Sequence, residues 1–549
     1  WPDASSADEL HDALLWLGFL TQSELENHPA WPTWVVALAA AGRVTRLEGR
    51  AHTLWLATER RPLFEALFAN ARFVPEDSPA LQRSEPWTAE SAMRELVRGR
   101  LEGLGPVTAR AIAASLDSAE PPVESALAAL QAEGFVMRGR FTPAADTDEW
   151  CERRLLARIH RYTVKRLRAE IEPVQARDFL RFLFEWHRVG PEARMQGPDA
   201  VAAILTQLEG FEVAAGAWET EILPARIAEY EPAWLDEHCL AGRFVWTRLD
   251  ARGGDRERGA APVRTTPIAL LARRNVRLWS GLTQVPDAAH LTSSAQAVAE
   301  CLQAQGASFF DEIVETTRLL PTQVEAALAE LVALGLTNSD SFSGLRALLV
   351  PAERRKRAAS GRRPRRVALF GMADSGRWAL VRRAAPAESA ESVEHVVRTL
   401  LRRWGVIFWR LLTREADWLP PWRDLLGCCR RLEARGELRG GRFVAGFSGE
   451  QYATPEAIGL LRDVRRKSPS GLEISLSAAD PLNLVGILTP DPRLAALTAN
   501  RVLYRDGLPM AVLAAGEVRF LRELDPGERW QAQNAILRRH VPAALADLA

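Results

Sequence analysis

Two closely spaced glutamates are the residues of this chain whose type and surroundings could do chemistry most directly. Glu219 and Glu221 lie within Trp218–Arg226, next to an aromatic ring and a guanidinium group. A carboxylate in such a setting can position a water molecule and accept its proton as a general base. The same stretch could equally act as a clasp between two domains. Glu219 and Glu221 are therefore catalytic candidates, and the sequence leaves the catalytic residues otherwise unknown.

Two arginine-rich stretches have the charge that binding to phosphate groups requires. Arg153–Arg168 contains seven basic residues and no acidic one, and residues 353–366 contain eight basic residues and one acidic one. Arginine forks fit phosphate oxygens well. A solvated bridging helix and a flexible charged linker are the alternative interpretations. The predicted phosphate-contacting residues are Arg154, Arg158, Arg161, Lys165, Arg168, Arg226, Arg354, Arg355, Lys356, Arg362, Arg363, Arg365 and Arg366.

Other catalytic patterns are missing or misleading. No lysine follows a glycine, so this segment lacks the phosphate-binding loop of ATP-driven motors. Asp236-Glu237-His238 superficially resembles a helicase box, but it falls inside a helical pattern, where we expect His238 to be a core residue. The histidines and the five cysteines show no ligand spacing, which predicts no metal site and buried thiols in a reducing compartment.

A repeated pattern must position these residues. Two core positions stand seven and four residues before a glycine, which places them on one helix face, and the glycine then caps the helix. An extended segment begins two residues later. The copies are Val35/Leu38 before Gly42, Leu127/Leu130 before Gly134, Leu235/His238 before Gly242, Leu328/Leu331 before Gly335 and Cys429/Leu432 before Gly436.

Each copy also has an upstream helix that ends at a glycine, which together with the following hairpin predicts a winged-helix module. We take Phe179–Gly190 as the upstream helix of the third copy, with Gly210–Tyr230 as an insertion. From Leu472 onward the hydrophobic period changes to two, which predicts strands. The predicted fold class is mainly α with β wings: a tandem array of five winged-helix modules followed by a small β-barrel.

The predicted domains follow from these patterns. A chain of 549 residues is long enough for several domains, and its equal numbers of basic and acidic residues exclude a uniformly basic protein. The predicted boundaries are 1–87 for winged helix 1 with a connector, 88–174 for winged helix 2 with the basic helix, 175–290 for winged helix 3 with the insertion, 291–352 for winged helix 4, 353–375 for the basic linker, 376–468 for winged helix 5 and 469–549 for the β-barrel with a terminal helix.

Several blocks resemble the C-terminal region of the Lhr (large helicase-related) family of bacterial superfamily 2 DNA helicases. The resemblance is densest in Arg158–Tyr230 and covers most of the chain. Further blocks are EPAWLDEHCLAGRFVW at Glu231–Trp246, GRWAL at Gly376–Leu380, GRFVAGFSGEQYA at Gly441–Ala453 and SAADPLNLVG at Ser477–Gly486.

This resemblance implies a set of expectations. ATP and Mg²⁺ would act in motor domains upstream, this segment would need no cofactor, and the partners would be DNA and further copies of the chain in a homotetramer. The expected location is the bacterial cytoplasm, at the nucleoid. The architecture is also similar to that of AlkZ-type DNA glycosylases, which use a Gln-x-Gln or Gln-x-Asp motif. Two such strings occur, Gln303-Ala304-Gln305 and Gln531-Ala532-Gln533, and we interpret both as chance occurrences.

Three functions therefore remain open. The chain could be a DNA-engaging and oligomerising region of a 3′→5′ repair helicase. It could be a DNA glycosylase for uracil or another damaged base, with its pocket at Trp218–Arg226. It could also be a transcription regulator, although helices such as Pro121–Gln131 have few of the arginine, asparagine and glutamine side chains on their outer face that would read base edges.

Overall fold

In a computed structural model the chain forms two units, Trp1–Leu167 and Arg168–Ala549. The structure describes residues 1–49, 52–76, 86–143, 145–169, 171–250, 263–284, 291–350, 371–372, 375–383, 389–539, 541–542 and 545. None of the helices in these ranges combines the length and the apolar character that crossing a bilayer requires.

The first unit alternates short helices with small antiparallel sheets. Its helices are α1 (Ala7–Leu17), α2 (Gln22–Glu26), α3 (Trp31–Ala40), α4 (Arg61–Leu67), α5 (Ala89–Gly103), α6 (Ala109–Ser115), α7 (Glu120–Ala132) and α8 (Arg153–Ala169), the last of which ends in the second unit. Its strands are β1 (Leu20–Thr21), β2 (Val44–Glu48), β3 (Thr53–Ala57), β4 (Arg72–Val74), β5 (Val136–Gly139) and β6 (Glu149–Glu152).

The second unit has the same kind of alternation and ends in a run of strands. Its helices are α9 (Ala176–Trp186), α10 (Pro198–Gln207), α11 (Pro232–Leu240), α12 (Val276–Ser280), α13 (Ser293–Gln305), α14 (Phe310–Thr317), α15 (Pro321–Ala333), α16 (Phe342–Leu349), α17 (Ala390–Trp404), α18 (Trp409–Leu412), α19 (Trp422–Ala434), α20 (Pro455–Arg466) and α21 (Pro526–Leu537). Its strands are β7 (Val213–Ala214), β8 (Phe244–Thr247), β9 (Pro267–Ala272), β10 (Ser308–Phe309), β11 (Thr337–Ser339), β12 (Arg377–Leu380), β13 (Val406–Ile407), β14 (Arg439–Gly441), β15 (Gln451–Ala453), β16 (Glu473–Ser477), β17 (Arg501–Arg505), β18 (Leu508–Ala514) and β19 (Glu517–Phe520).

One order of elements recurs five times, and we call each occurrence a copy. A helix is followed by a short extended segment, a second helical segment, a third helix and two strands, and the last strand lies in the middle of the sheet. The sheet orders are β1-β3-β2-β4, Val107-β6-β5, β7-β9-β8, β10-β12-β11 and β13-β15-β14, where β4 is an additional strand at the edge of the first sheet and Val107 contributes an isolated bridge to Trp150. The third helices of copies 1 to 5 are α3, α7, α11, α15 and α19.

The glycine pattern seen in the sequence is confirmed in every copy. The ten core positions, two per copy, are all buried. The glycine after each third helix has a positive φ, which glycine adopts without the steric penalty of a side chain. These φ values are 73° for Gly42, 73° for Gly134, 69° for Gly242, 70° for Gly335 and 79° for Gly436.

The first helix of copy 3 is not the one predicted. The predicted helix, α9, packs into the core of copy 5, where the ring centroids of Phe179 and Phe408 lie 5.9 Å apart. The first helix of copy 3 is α10, which is followed by Gly210 at φ +78°. Gly210–Tyr230 is therefore not an insertion between the first and third helices, because it contains β7 and the second helical segment of the repeat.

Two further predictions about domain organisation are wrong. Arg377–Leu380 was assigned to copy 5, but this strand, β12, pairs with β10 and β11 of copy 4. The C-terminal strands form an open antiparallel sheet in the order β16-β17-β18-β19, and no closed barrel is found in the residues that the structure describes. The predicted turns at Asp506-Gly507 and Ala515-Gly516 are present, with positive φ at all four residues.

Two hydrophobic cores organise the second unit. One core joins copies 3 and 4, and it includes Trp218, Trp246 and Trp378. The other joins α9, copy 5 and the C-terminal sheet, and it includes Phe182 and Trp404. The segment Trp218–Arg226 belongs to copy 3 and also contacts the C-terminal sheet. Polar side chains of this segment that face the sheet are therefore buried between the two.

Candidate functional site

The stretch that carries the two candidate glutamates is a buried turn of π-helix. Residues Trp218–Ile222 adopt this rare conformation, which is often associated with functional sites. The indole N–H of Trp218 donates to the carbonyl of Ile268 at 2.8 Å, which fixes the turn against β9. Glu219 and Glu221 leave this turn in different directions and have different surroundings.

Glu219 lies in an ion cluster inside copies 3 and 4. Its carboxylate accepts hydrogen bonds from Nε and Nη2 of Arg346 at 2.7 and 2.9 Å, and from the hydroxyl of Tyr230 at 2.8 Å. Nη1 of Arg346 donates to Asp236 at 2.8 Å. Glu219 is 2% exposed and its hydrogen-bonding capacity is largely used. We therefore correct its assignment from catalytic candidate to structural residue.

Glu221 faces a small polar cavity. It accepts a hydrogen bond from Nη1 of Arg501 at 2.6 Å, and both side chains line a cavity of about 220 Å³ together with Arg194 and Ser475. Within the described parts of the chain, the hydroxyl of Ser475 and the Nε atoms of Arg194 and Arg501 have no hydrogen-bond partner. Hydroxyl and guanidinium donors beside one carboxylate can hold a small polar or anionic group.

Arg226 was predicted to contact DNA, but it is buried in an ion pair. Its Nη1 and Nη2 atoms donate to the two carboxylate oxygens of Asp480 at 2.7 and 2.9 Å. Both residues are at most 1% exposed. Arg226 therefore cannot reach a phosphate group at the surface, and this assignment is wrong. Sequence reasoning missed Asp480, although it lies in one of the blocks that carried the family resemblance.

His187 completes the buried group around Arg226. Its Nε2 donates to the carbonyl of Arg403 at 2.8 Å, which leaves Nδ1 to accept a hydrogen bond from Nη2 of Arg226 at 3.3 Å. Burial and the charge of Arg226 lower the pKa of His187 to about 3. Burial alone would raise the pKa of Asp480, but the positive charge of Arg226 lowers it below its ordinary value.

The basic residues of α8 are exposed, as a phosphate-binding surface requires. Arg154, Arg158, Arg161 and Lys165 are solvent-accessible, and none of them has an acidic partner among the described residues. Among the residues of α8 whose burial is described, none is buried, and Tyr162 is 70% exposed. The helix therefore presents a row of unneutralised positive charge to solvent.

Arg168, at the end of the same helix, is engaged elsewhere. Its Nε donates to Glu433 at 3.0 Å, and Glu450 lies close by. These carboxylates hold the pKa of the Arg168 guanidinium above its ordinary value, with the hydrogen bond to Glu433 as the largest cause. Arg168 therefore neutralises acidic side chains of copy 5 and is less suited to phosphate contact than Arg158 or Arg161.

The remaining predicted positions have mixed outcomes. His238 is buried, with its Nε2 2.9 Å from the carbonyl oxygen of Pro198, which confirms the expected core histidine. All five cysteines are buried and free, as predicted. The predicted DNA-contacting residues Arg354, Arg355, Lys356, Arg362, Arg363, Arg365 and Arg366 lie outside the described residues.

The two Gln-x-Gln strings do not form a shared site. Gln303 lines a cavity of about 780 Å³ at copy 4, whereas Gln531 lines a different cavity of about 1340 Å³ near the C-terminal sheet. The side-chain amide of Gln305 donates to Thr316 at 3.1 Å.

Fold and site together define a class: a protein built from winged-helix domains, with an exposed basic helix. Residues 174–273 and 386–473 each match a family described as "Large helicase-related protein, winged-helix domain". The chain therefore carries winged-helix domains of the Lhr type, in agreement with the resemblance seen in the sequence. The matched segments contain copy 3 and copy 5.

Similar proteins point to the same family. Over 511 residues the chain is 26% identical to the "Lhr helicase/ probable uracil glycosylase" of Mycolicibacterium smegmatis, in an alignment that covers 88% of this chain and 32% of that protein. Over 493 residues it is 27% identical to the "Lhr helicase/uracil glycosylase" of Escherichia coli, covering 82% of this chain and 30% of that protein. The chain thus spans about a third of the length of these curated relatives.

One solved structure has a distant similarity. The DNA glycosylase AlkZ of Streptomyces sahachiroi gives a TM-score of 0.35 at 13% sequence identity, and the alignment covers 66% of this chain and 97% of that one. This similarity is too low to carry a functional argument.

Proposed function

We propose that this chain is the DNA-engaging and self-associating region of an ATP-dependent 3′→5′ DNA repair helicase, and that all five copies are winged-helix modules. The observation that carries the proposal is the row formed by Arg154, Arg158, Arg161 and Lys165 on α8, which are exposed and have no acidic partner in the described part of the chain. Unpaired arginine and lysine side chains bind DNA by displacing counterions from phosphate groups.

The test measures DNA binding as a function of salt. Arg154, Arg158, Arg161 and Lys165 are replaced together by alanine, and the affinity for a labelled duplex is measured by fluorescence anisotropy between 50 and 300 mM KCl. We expect the slope of log K against log salt to fall by about 3 to 4, because each lost phosphate contact contributes about 0.9. A matched control replaces Arg43, Arg46, Arg61 and Arg138, which all have acidic partners. Equal slopes in the wild type and the α8 variant would refute the role of α8.

Self-association is the second part of the proposal, and we expect a homotetramer. Trp530 and Leu537 of α21 are 70% and 51% exposed, on a helix that buries Ala532 and Ile536 against the C-terminal sheet. Exposed apolar side chains of this size are suited to an interface between subunits. Light scattering of the wild type and of Trp530→Ser tests this: a wild-type mass equal to that of one chain excludes the oligomer.

A DNA glycosylase is the alternative function, and one specific observation favours it. Glu221 faces a cavity of about 220 Å³ that also contains unpartnered donors of Ser475 and Arg194. A glycosylase needs a carboxylate or amide that positions water, together with a pocket for the extruded base. Both curated relatives also carry uracil glycosylase in their names. Incubation with single-stranded DNA containing one uracil, followed by alkali, tests the activity; cleavage that Glu221→Gln leaves unchanged would exclude this cavity.

A further inference from the structure

The third helices of the five copies differ sharply in charge. In winged-helix proteins this helix is the one placed to enter a DNA groove. The helix α3 contains no charged residue, and α7, α11 and α15 contain acidic residues but no arginine or lysine. The helix α19 of copy 5 contains Arg423, Arg430 and Arg431. Among the five third helices, α19 therefore has the only composition that suits contact with phosphate groups.

The arginines of α19 lie on the face of the helix that points away from the core. Leu425, Cys428, Cys429 and Leu432 are buried and define the core face. Arg423 and Arg430, seven residues apart, lie on the opposite side of the helix, and Arg431 follows about 100° further round, at the flank of the same face. The side chains of Arg423 and Arg430 are 86% and 59% exposed, and Arg431 is also exposed.

The acidic residues near this face are engaged or weakly paired. Glu433 accepts hydrogen bonds from Arg168 and from the backbone N–H of Gly440, so that its charge is compensated within copy 5. Nε of Arg423 lies 3.5 Å from Oδ2 of Asp424, and Nε of Arg430 donates to Oε2 of Glu450 at 3.2 Å. Surface pairs of this kind contribute little energy, so a phosphate group can replace either carboxylate.

A glycine lies between the arginines on the exposed face. Glycine inside a helix lowers its stability by roughly 1 kcal/mol relative to alanine. A Cβ atom at Gly427 would meet nothing nearer than Nη1 of Arg431 at 3.9 Å, so packing within the chain does not require glycine here. Because Gly427 has no side chain, the surface of the helix is recessed between Arg423 and Arg430. A phosphate backbone can therefore approach the helix closely at this point.

From these observations we infer that copy 5 is the winged helix that docks on duplex DNA, through the face of α19 formed by Arg423, Gly427, Arg430 and Arg431. This inference rests on the proposed DNA-binding function: it adds a second contact surface to that of α8 and assigns this surface to one of the five copies. Two further arginines of copy 5 are exposed, Arg439 on β14 and Arg442 directly after it. The third helices of the other four copies do not contact DNA.

The first experiment removes the charge of this face. Arg423, Arg430 and Arg431 are replaced together by alanine, and binding to a labelled duplex is measured between 50 and 300 mM KCl. We expect the slope of log K against log salt to fall by about 2.7, which is three contacts at about 0.9 each. A control variant removes Arg46, Arg138 and Arg519, which lie on small sheets and are paired with acidic residues just as Arg423 and Arg430 are, so that the two variants differ in position and not in pairing. The control should keep the wild-type slope.

A second experiment tests the close approach without changing charge. Gly427→Leu places a large side chain at the centre of the proposed face, and Gly459→Leu on α20 is its matched control, because a Cβ at Gly459 also has open space. We expect Gly427→Leu to weaken binding at least tenfold and Gly459→Leu to leave it unchanged, with both variants melting at or above the wild-type temperature.

The outcomes separate the inference from the proposal on which it rests. A wild-type chain that binds no DNA contradicts the proposed function itself. A wild type that binds DNA, with the α19 variants keeping its affinity and salt slope, leaves that function standing and overturns the assignment to copy 5.

Discussion

Arg226 and Asp480 form a bidentate ion pair, with Nη1–Oδ2 and Nη2–Oδ1 distances of 2.7 and 2.9 Å, although they are 254 positions apart in the chain. The pair joins the segment after the π-helical turn of copy 3 to the segment after β16. Because both side chains are buried, each charge depends on the other for compensation.

We predict that Asp480→Asn strongly destabilises the chain. It leaves the guanidinium of Arg226 buried without a full counter-charge, and the free energy of unfolding should fall by about 3 to 5 kcal/mol. Urea denaturation measures this fall. The exposed helix pair of Glu394 with Arg398 provides the control, since Glu394→Gln should lower the free energy by less than about 1 kcal/mol. A similar small change in both variants would show that the buried pair is not important for stability.

The low pKa of His187 predicts a loss of stability in mild acid. The histidine has a pKa near 6.5 in the unfolded chain and about 3 in the folded one, so below pH 6.5 only the unfolded chain takes up this proton. The free energy of unfolding should therefore fall with decreasing pH by about 1.4 kcal/mol per pH unit from this group, between pH 6.5 and 3.

Replacement of His187 by glutamine tests this origin. The glutamine amide can donate to the Arg403 carbonyl and accept from Arg226, but it does not titrate. Between pH 6.5 and 5 the free energy of unfolding should fall less steeply in the variant than in the wild type, by about 1.4 kcal/mol per pH unit. The control is His160→Gln on the exposed surface of α8, which should keep the wild-type pH dependence. Identical pH profiles for all three proteins would contradict the assignment.

We expect Glu219→Gln to lower the stability of the folded chain and not to remove a catalytic group. The substitution removes the main counter-charge of the buried Arg346 and leaves Asp236 as its counter-charge, so we expect a loss of about 2 to 4 kcal/mol. Thermal melting measures it, with the exposed Glu237→Gln in α11 as the control. An unchanged melting temperature, together with a lost base-excision activity, would restore Glu219 as a catalytic residue.

Gly210→Ala should be more harmful than the same change at Gly134. Both glycines have positive φ, 78° and 73°, so alanine is strained at either position by about 1 kcal/mol. A Cβ at Gly210 would also lie 2.5 Å from the ring of Trp279, whereas at Gly134 it meets nothing within 4 Å. We expect an additional loss of about 1 to 3 kcal/mol at Gly210, measured by urea denaturation. Equal losses would mean that the indole ring moves aside freely.

The sequence by itself determined the repeat. Apolar spacing and the glycine that ends each third helix are local features, because they depend on helix periodicity and on the φ angle that only glycine adopts easily. They therefore predicted correctly the glycine that ends each third helix, the buried His238 and the hairpin turns of the C-terminal strands. The resemblance to Lhr proteins also lies in short blocks of sequence, and the two matched winged-helix domains confirm it.

Only the tertiary structure decided which neighbours these elements have. The sequence assigned α9 to copy 3 because the two are adjacent in the chain, but its apolar face is complementary to copy 5. Arg226 and Glu219 looked like functional charges, because their partners Asp480 and Arg346 lie 254 and 127 positions away. Burial and pairing of a charge depend on such distant contacts, which no local pattern of residues records.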